Sequence, residues 1–372
     1  MIKIIEVKTK KHLKEFVEFP YKLYKKHPYW VPPIKSTEYK RFSVKKNPLF
    51  SCCDVKLWVA YKENNVVGRV AGIIHHRYNE LLKKKYCRFG FIDFIDDKNV
   101  SATLINEVQY WAKSNNLDTI HGPLGFTDLD PQGTLIEGFD IVSNMVTIYN
   151  QDYYQTHFEA LGLEKDVDWV EHKLTVPQHF PKRIELIANK LCKKFQLTVI
   201  NTKKKKEFLP YMNDIFLLMN KCYKDLYGVV PLEKIEMDYY YNEFKDIIIP
   251  EYIPLIFDKD NKLIAFAFSF PAIAKSLQQI QGTLFPFNFI KLLTSIKKHS
   301  QLELGLIAID PKYQNLGLPA LLFHKKFQHI KSKGIKTLLV NPQLETNKSV
   351  QAFWNYVDNE VTRRRRCFVK NI

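Results

Sequence analysis

The amino-acid sequence predicts an α+β protein built from two similar halves in tandem, each a twisted, mostly antiparallel sheet flanked by helices. The chain has 372 residues, which is about twice the ~150 that a single domain usually contains. The order strand, helix, two-strand hairpin, strand, helix, strand occurs twice. A segment with two prolines, residues 176–181, separates the two occurrences. We therefore expect domains at 1–176 and 177–372.

In the first half, alternation of apolar and polar residues indicates strands, and a three-and-four spacing indicates helices. Leu13, Phe16 and Val17 recur at helical spacing. Asn64 and Asn65 suit a tight hairpin turn, because asparagine tolerates left-handed backbone conformations. The predicted elements are strands at 2–7, 55–61, 66–74 and 89–94 and helices at 10–24 and 102–114.

The second half repeats this order. Apolar residues at helical spacing from Phe208 to Cys222 predict one long helix. Asp258 and Asn261 suit the turn of a second hairpin. The predicted elements are strands at 197–200, 252–257, 263–270, 302–309 and 336–341 and helices at 206–226 and 319–333.

The composition leaves the partner open. The formal net charge of +17 is typical of proteins with an anionic partner, such as nucleic acid, a membrane surface or a polyphosphate cofactor. The alternative is a lysine-rich, solvated surface, and the densest basic runs, 203–206 and 363–366, fit either interpretation. No apolar run reaches the ~20 residues of a membrane span, and no signal-peptide pattern is present, so we expect a cytoplasmic protein. The spacing of the six cysteines does not suggest a metal site, and we predict no metal.

The most informative segment joins the predicted strand 302–309 to the helix that follows it. Asp310 and Pro311 begin a loop that contains Gly317, and Pro319 stands where a helix tolerates proline, in its first turn. A helix N-terminus offers unpaired N–H groups and the positive end of the helix dipole, so it binds phosphate well. An ordinary strand-to-helix turn would give the same local pattern.

This segment resembles the coenzyme A motif of the GNAT superfamily of N-acetyltransferases, in which a strand ending in Val-x-Pro precedes Gln/Arg-x-x-Gly-x-Gly/Ala and a helix. Residues 309–311 and 314–319 take those places. The resemblance implies two tandem GNAT domains, with the pyrophosphate of acetyl-CoA or another acyl-CoA held by the loop and the pantetheine arm paired with the strand edge. The cofactor-binding residues that it implies are Ile307, Ile309, Gln314, Asn315, Leu316, Gly317, Leu318, Ala320 and, in a closing element near the C-terminus, Asn347.

Catalytic candidates follow from the same resemblance. Glu303, at the start of the strand, is a candidate base for the acceptor amine, and alternation is expected to place it on the same face as Ile307. Strand amides near Ile307 would stabilise the oxyanion. Trp354 stands where many family members have a tyrosine that protonates the leaving thiolate, so Tyr356 is a second candidate for that role.

The first half resembles the same superfamily more faintly. Its phosphate loop is replaced by residues 96–99, which contain two acids and no glycine, so we expect no cofactor site there. Residues 121–140 form a loop rich in glycine, proline and acids. Asp128, Asp130 and Glu137 in this loop are candidate ligands of a cationic acceptor, and their alternative role is to cap turns.

We therefore expect an acyl-CoA-dependent N-acyltransferase, most simply an N-acetyltransferase, that acts on a small-molecule or peptide amine. Two alternatives remain open. One is a Fem-type peptidyl transferase that uses aminoacyl-tRNA, although the helical hairpin arm of those proteins is not evident and nucleic acid is not the favoured partner. The other is a non-catalytic ligand-binding protein, which Pro319 and Trp354 keep possible. The sequence does not indicate the acceptor or the oligomeric state.

Overall fold

The computed structural model describes residues 1–179, 182–347 and 358–372. The first half consists of β1 (Ile2–Glu6), α1 (Lys10–Leu23), α2 (Lys35–Arg41), β2 (Cys53–Lys62), β3 (Asn65–His75), α3 (His76–Leu82), β4 (Tyr86–Phe94), α4 (Lys98–Ser114), β5 (Thr119–Gly122), β6 (Thr134–Glu137), α5 (Tyr153–Ala160) and β7 (Glu164–Thr175).

The second half consists of α6 (Lys182–Phe195), β8 (Thr198–Ile200), α7 (Lys205–Phe208), α8 (Met212–Tyr223), α9 (Lys234–Phe244), β9 (Leu255–Phe257), β10 (Leu263–Pro271), α10 (Ala274–Ile280), α11 (Asn288–Lys297), β11 (Gln301–Ile309), α12 (Leu318–Ser332), β12 (Thr337–Leu344) and β13 (Asn359–Asn371). None of the helices in the described part of the chain is long and apolar enough to cross a membrane.

The predicted elements occur in the predicted order in both halves, but helices that were not predicted lie between them, α2 and α3 in the first half and α9, α10 and α11 in the second. The helix expected at 206–226 also differs. Its apolar spacing is continuous, but a short 3-10 turn at Leu209–Tyr211 separates α7 from α8. Pro210 lies in this turn. Because proline has no backbone N–H and its ring clashes with the preceding turn, a regular helix does not continue through it.

The strands form one continuous sheet in the order β1-β2-β3-β4-β5-β13-β7-β12-β11-β10-β9-β8, with β6 also paired to β13. The last strand of the chain, β13, lies between β5 and β7 of the first half. In turn β7 pairs with β12 of the second half. The predicted boundary near residue 177 falls between β7 and α6, but each half receives a strand from the other, so the sheet is completed only by the whole chain.

The main hydrophobic core is also shared by the halves. Phe16 and Phe126 of the first half and Ile215 and Phe266 of the second belong to one cluster of buried side chains. A second cluster lies beneath α4, entirely within elements of the first half apart from Phe368 of β13. Shared burial of this kind fixes the position of the first-half loops over the sheet of the second half.

Candidate active site

Strands β11 and β12 diverge in the middle of the sheet, and this divergence positions the candidate site. They pair in parallel only from Gln301–Leu304 with Thr337–Val340. Beyond that point β11 contains an irregularity, because Ser269 of β10 pairs with Leu304 whereas Ala267 pairs with Ile307. The extra residue on β11 at 305–306 is a β-bulge, which bends a strand and increases its local twist.

The bulge changes which side chains share a face. Leu304 and Ile307 both contribute to clusters beneath α12, whereas Leu306 and Ala308 join the core on the opposite face. Simple alternation, which predicts that Glu303 and Ile307 share a face, is therefore wrong beyond residue 304. Gly305 and Leu306 instead turn toward the cavity described next.

A cavity of about 170 Å³ lies between the two halves, over the diverging strands. Its walls are mainly aromatic and aliphatic, and its volume is similar to the ~150 Å³ of an apolar cavity that accommodates benzene. Residues of β10, α8 and α9 form about half of the wall, and loops of the first half close it. The lining residues are Asp128, Leu129, Asp130, Gln132, Val146, Thr147, Met212, Ile215, Phe216, Met219, Tyr240, Tyr241, Phe244, Ile248, Phe266, Phe268, Phe270, Gly305, Leu306, Asn341 and Pro342.

Two of the three predicted acceptor ligands line this cavity. Asp130 is occupied structurally, because its carboxylate accepts hydrogen bonds from the amides of Phe126 and Thr127 and pairs with Arg41 at 3.2 Å. Asp128 is half-buried in the cavity wall. Burial raises its pKa to about 6, opposing the effect of nearby positive charge.

Asp128 also lies close to the diverging half of β11. Its charge is one of the causes, after burial, that raise the pKa of Tyr223 on α8. The Tyr223 hydroxyl donates a hydrogen bond of 2.8 Å to the carbonyl of Ile307. Glu137, the third predicted ligand, is placed elsewhere, on β6, where it pairs with Arg364 at 3.4 Å.

Glu303 is fully buried behind the wall of the cavity. Its Oε1 accepts a hydrogen bond of 3.3 Å from the amide of Met145, whereas Oε2 has no hydrogen-bond partner among the described residues. Burial raises the pKa of this carboxyl to about 8, and the charge of Glu171 adds to the shift. Phe270, which pairs with Glu303 across the ladder, and Val146, next to Met145, both line the cavity. Burial thus favours the protonated form of this carboxyl, which neighbours residues of the cavity lining without lining the cavity itself.

The loop between β11 and α12 has free amide groups, as a phosphate site requires. Asn315 and Gly317 have φ values of 60° and 90°, and within the described ranges no hydrogen bond is donated by the amides of Asn315, Leu316 and Gly317. Loops with such alternating backbone conformations form concave anion sites. Among the other predicted cofactor ligands, Leu318 begins α12 and the Gln314 side chain donates a hydrogen bond of 3.2 Å to the carbonyl of Ile309.

Gly317 is required for a reason that the sequence did not reveal. A Cβ atom there would lie 3.3 Å from Ile187 and 3.4 Å from Leu191, both on α6. The hydrogen of Gly317 therefore faces a packed helix. The left-handed φ and the contact with α6 select glycine at this position.

The predicted strand edge is partly covered by α8. Besides the Tyr223 bond to Ile307, Cys222 donates a hydrogen bond of 3.2 Å to the carbonyl of Ile309. A pantetheine arm that pairs with this edge would have to replace these side-chain contacts. Asn347 lies in the turn after β12, while Trp354 and Tyr356 lie outside the described residues.

In the first half the chain itself fills the equivalent cleft. Strands β4 and β5 are parallel only at Tyr86–Arg88, and the amide of Leu124 then donates a hydrogen bond of 2.9 Å to Phe89 of β4. The N-terminus of α4 is capped by the Asp97 carboxylate, which accepts a hydrogen bond of 2.9 Å from the Asn99 amide. The expectation of no cofactor site in this half stays a prediction.

A possible metal-ligand cluster lies away from the cavity lining. The ligand atoms of Cys52, Cys53 and His75 all lie within 4.8 Å of one another, and thiolates with imidazole suit Zn²⁺. Burial and the charges of Arg88 and Arg77 lower the pKa of His75 to about 3. The lowered pKa keeps the imidazole neutral, which is the form that binds a metal, whereas the two arginine charges oppose a bound cation. The expectation of no metal stays a prediction.

Sequence reasoning missed a buried ionic network beside the cavity. Glu171 of β7 accepts hydrogen bonds from Arg363, at 2.6 Å, and from Arg365, both on β13. Asn144 connects this network to the cavity wall, because its amide group donates a hydrogen bond of 3.0 Å to Asn341. The basic run 363–366 gave the only signal in the sequence, and it was interpreted there as a surface feature.

No family model matches the chain. It is 28% identical to Protein YghO of Escherichia coli (strain K12), over 98% of this chain and 94% of that protein. It is also 22% identical to a bacterial ceramide synthase of Caulobacter vibrioides (strain NA1000 / CB15N), over 94% of this chain and 92% of that protein. Both similarities extend over nearly the whole chain.

Solved structures with the same architecture include a tandem GNAT protein from the clavulanic acid biosynthesis pathway, with a TM-score of 0.56 and 10% identity, which covers 100% of this chain and 98% of that one. A probable N-acyltransferase of Enterococcus faecalis V583 gives a TM-score of 0.54 and 9% identity, covering 100% of this chain and 73% of that one. The chain therefore has the tandem fold of the GNAT acetyltransferases, and the predicted fold class is confirmed.

Proposed function

We propose that this tandem GNAT protein is an acyl-CoA-dependent N-acyltransferase whose acceptor is a long-chain amine. The observation that carries the proposal is the aromatic-walled cavity with the Asp128 carboxylate in its wall, at the point where β11 and β12 diverge. An apolar cavity with one anionic group is complementary to an amine attached to a hydrocarbon chain, and a volume of about 170 Å³ would hold the amine and the first carbons of that chain. A small polar amine would leave the apolar wall without a partner.

The Caulobacter relative supports the same acceptor class. Ceramide is the amide of a fatty acid with a long-chain amino alcohol, so a ceramide synthase joins an acyl group to a long-chain amine. The similarity to that protein covers both halves of this chain, which together build the cavity. For the present protein, the acceptor class is therefore proposed, without a particular substrate.

In the proposed reaction the neutral amine attacks the thioester carbonyl. The new C–N bond forms, the C–S bond breaks, the extra proton on nitrogen passes to a carboxylate, and the thiolate leaves and takes up a proton. Asp128 is the proposed acceptor of the amine proton, because it lines the cavity and is ionised above a pKa of about 6. Amides at the β11 bulge, at Gly305 and Leu306, are the proposed donors to the developing oxyanion.

The loop before α12 is proposed to hold the diphosphate of acyl-CoA. The free amides of Asn315, Leu316 and Gly317 and the N-terminus of α12 supply the donors. Lys312 is exposed in the same loop and adds a positive charge. Glu303 is assigned a positioning role, because its carboxyl holds the Met145 amide next to the cavity wall.

The test measures amide formation from a sphingoid base, with acetyl-CoA and with a long-chain acyl-CoA as the acyl donor. Binding of each acyl-CoA to the protein is measured separately by direct titration. We expect Asp128→Asn to lower kcat/KM by about 100-fold or more, the usual effect of a general base, while acyl-CoA binding is retained. Asp225→Asn, at an exposed position beyond α8, is the matched control and should retain activity.

Full activity of Asp128→Asn would refute the role of that carboxylate. Saturable acyl-CoA binding without amide formation from any amine would favour the non-catalytic alternative. Exclusive use of acetyl-CoA with short polar amines would refute the long-chain acceptor.

A further inference from the structure

The connection between β10 and β11 carries an unusually apolar surface. Phe285 and Phe287 are 81% and 71% exposed, and Phe289, Ile290 and Leu293 of α11 are between 45% and 50% exposed. None of the residues of α11 is buried. Scattered exposed apolar residues are normal, but five large ones within nine positions form a contiguous patch of the kind that marks an interaction surface. The patch is named here the 285–293 patch.

The 285–293 patch is distinct from the side of α11 that packs against the rest of the protein. Leu284, Leu292 and Ile296 pack against a separate cluster that includes Ile273 and Leu277 of α10. The helix α11 is therefore apolar on two sides, of which one is satisfied within the protein. The outward side has no function in holding the fold together.

The charges around the patch favour an anionic partner. Residues 272–300 contain no aspartate or glutamate. Their lysines, Lys275, Lys291, Lys297 and Lys298, are all exposed. Apolar side chains flanked by lysines on a short helix are typical of segments that lie in the interface of a membrane with anionic lipids. The net charge of +17 on the whole chain acts in the same direction.

The side by which α11 is attached, rather than the patch itself, adjoins the wall of the cavity. The α10–α11 cluster includes Met145 and Ile247, and the next residues along the chain, Val146 and Ile248, line the cavity. Phe270, at the end of β10, also lines it and leads directly into the segment. The segment that carries the patch is thus packed directly beside the cavity wall.

We propose that the 285–293 patch docks the protein on the surface of an anionic bilayer, with α11 lying in the interface. This inference rests on the proposed function, because docking brings the protein to its acceptor only if that acceptor is a long-chain amine, which resides in a membrane. Phe285 and Phe287 insert among the acyl chains, while Lys291, Lys297 and Lys298 contact lipid phosphates.

The test is co-sedimentation of the full chain with vesicles of phosphatidylcholine alone or mixed with phosphatidylglycerol, without acyl-CoA or amine. We expect binding to the mixed vesicles that weakens as salt is raised, and at least tenfold weaker partitioning of Phe285→Glu. The control is Tyr110→Glu on α4, which replaces an aromatic residue that is 71% exposed by the same acid and should bind as the wild type does.

Several results would overturn the proposal. They are the absence of binding to the mixed vesicles, equal binding of Phe285→Glu and wild type, and equal affinity for neutral and anionic vesicles. A wild-type dimer that Phe285→Glu converts to a monomer, measured by light scattering, would instead make the patch an interface between copies.

The two proposals fail separately. Vesicle binding is measured without turnover, so a failure of docking leaves the acyltransferase test intact. Amide formation from a short-chain, soluble amine should be the same in Phe285→Glu and wild type, because the patch lies outside the cavity lining. A loss of that activity would overturn the separation of docking from chemistry.

Discussion

Replacing Glu303 by glutamine tests whether a buried carboxyl controls the pH dependence of stability. The carboxyl is fully buried on β11 and one of its oxygens has no hydrogen-bond partner among the described residues. Its pKa is raised from 4.5 to about 8, chiefly by burial. In the unfolded chain the same group ionises near its ordinary pKa, so between these values the unfolded state binds fewer protons than the folded state.

The sign and size of the effect follow from this difference. Stability falls as pH rises, because ionisation is possible only in the unfolded chain. Each pH unit between the two pKa values lowers the free energy of unfolding by about 1.4 kcal/mol. The total loss between pH 4.5 and pH 8 is thus about 5 kcal/mol from this one group.

The assay is urea unfolding of wild type and Glu303→Gln at several pH values from 5 to 8. Glutamine does not titrate, so the free energy of unfolding of the variant should gain on that of the wild type by about 1.4 kcal/mol per pH unit. Taking the difference between the two proteins removes the titration of all other groups. A difference that stays constant from pH 5 to pH 8 would refute the assignment of a raised pKa to Glu303.

Three further variants test the surrounding structure. Gly317→Ala should lower the free energy of unfolding by about 1 kcal/mol, because alanine is strained at a left-handed φ, and should weaken acyl-CoA binding in calorimetric titration. Gly228→Ala is the control, since its φ is 76° and nothing lies within 4 Å of the new Cβ. It should lose stability without affecting binding. Glu171→Gln should cost about 3–5 kcal/mol in urea unfolding, since it leaves Arg363 and Arg365 buried without a counter-charge; a loss below about 1 kcal/mol would contradict the ionic network. Gly90→Ala places a Cβ 2.1 Å from a backbone oxygen and should lower Tm by several degrees, and an unchanged Tm would contradict the close contact between β4 and the chain that fills the first-half cleft.

The proposed base also predicts a pH dependence of activity. The pKa of Asp128 is raised to about 6, and only the ionised form accepts a proton. Because the acceptor amine must also be neutral, the logarithm of kcat/KM should keep rising above pH 6, but its slope should be steeper by about one below a pH of about 6 than above it. This change of slope should be absent in the residual activity of Asp128→Asn. An identical profile in wild type and variant would assign the titration to another group.

The sequence by itself determined the two halves, the order of their elements and the loop before α12. These features depend on local physics: alternation for strands, helical spacing for helices, and asparagine, glycine and proline for turns. Apolar spacing alone predicted one helix across Pro210, where the structure has a 3-10 turn between α7 and α8. Of the candidate site, Asp128 and Asp130 were found from their unusual loop, and their place on the cavity wall was not predictable.

Only the tertiary structure decided what the long-range pairings create. One extra residue at the β11 bulge reversed the face of the side chains that follow it on the strand. The pairing of β13 with β7 placed the arginines of the basic run 363–366 alternately on the two faces of the sheet. Of these, Arg363 and Arg365 are buried against Glu171, whereas Arg364 and Arg366 are partly exposed and pair with the buried carboxylate of Asp168. Periodicity in the sequence identifies which residues are buried. The side chains against which they pack depend on the partner and register of each strand, and these are fixed by contacts between residues far apart in the chain.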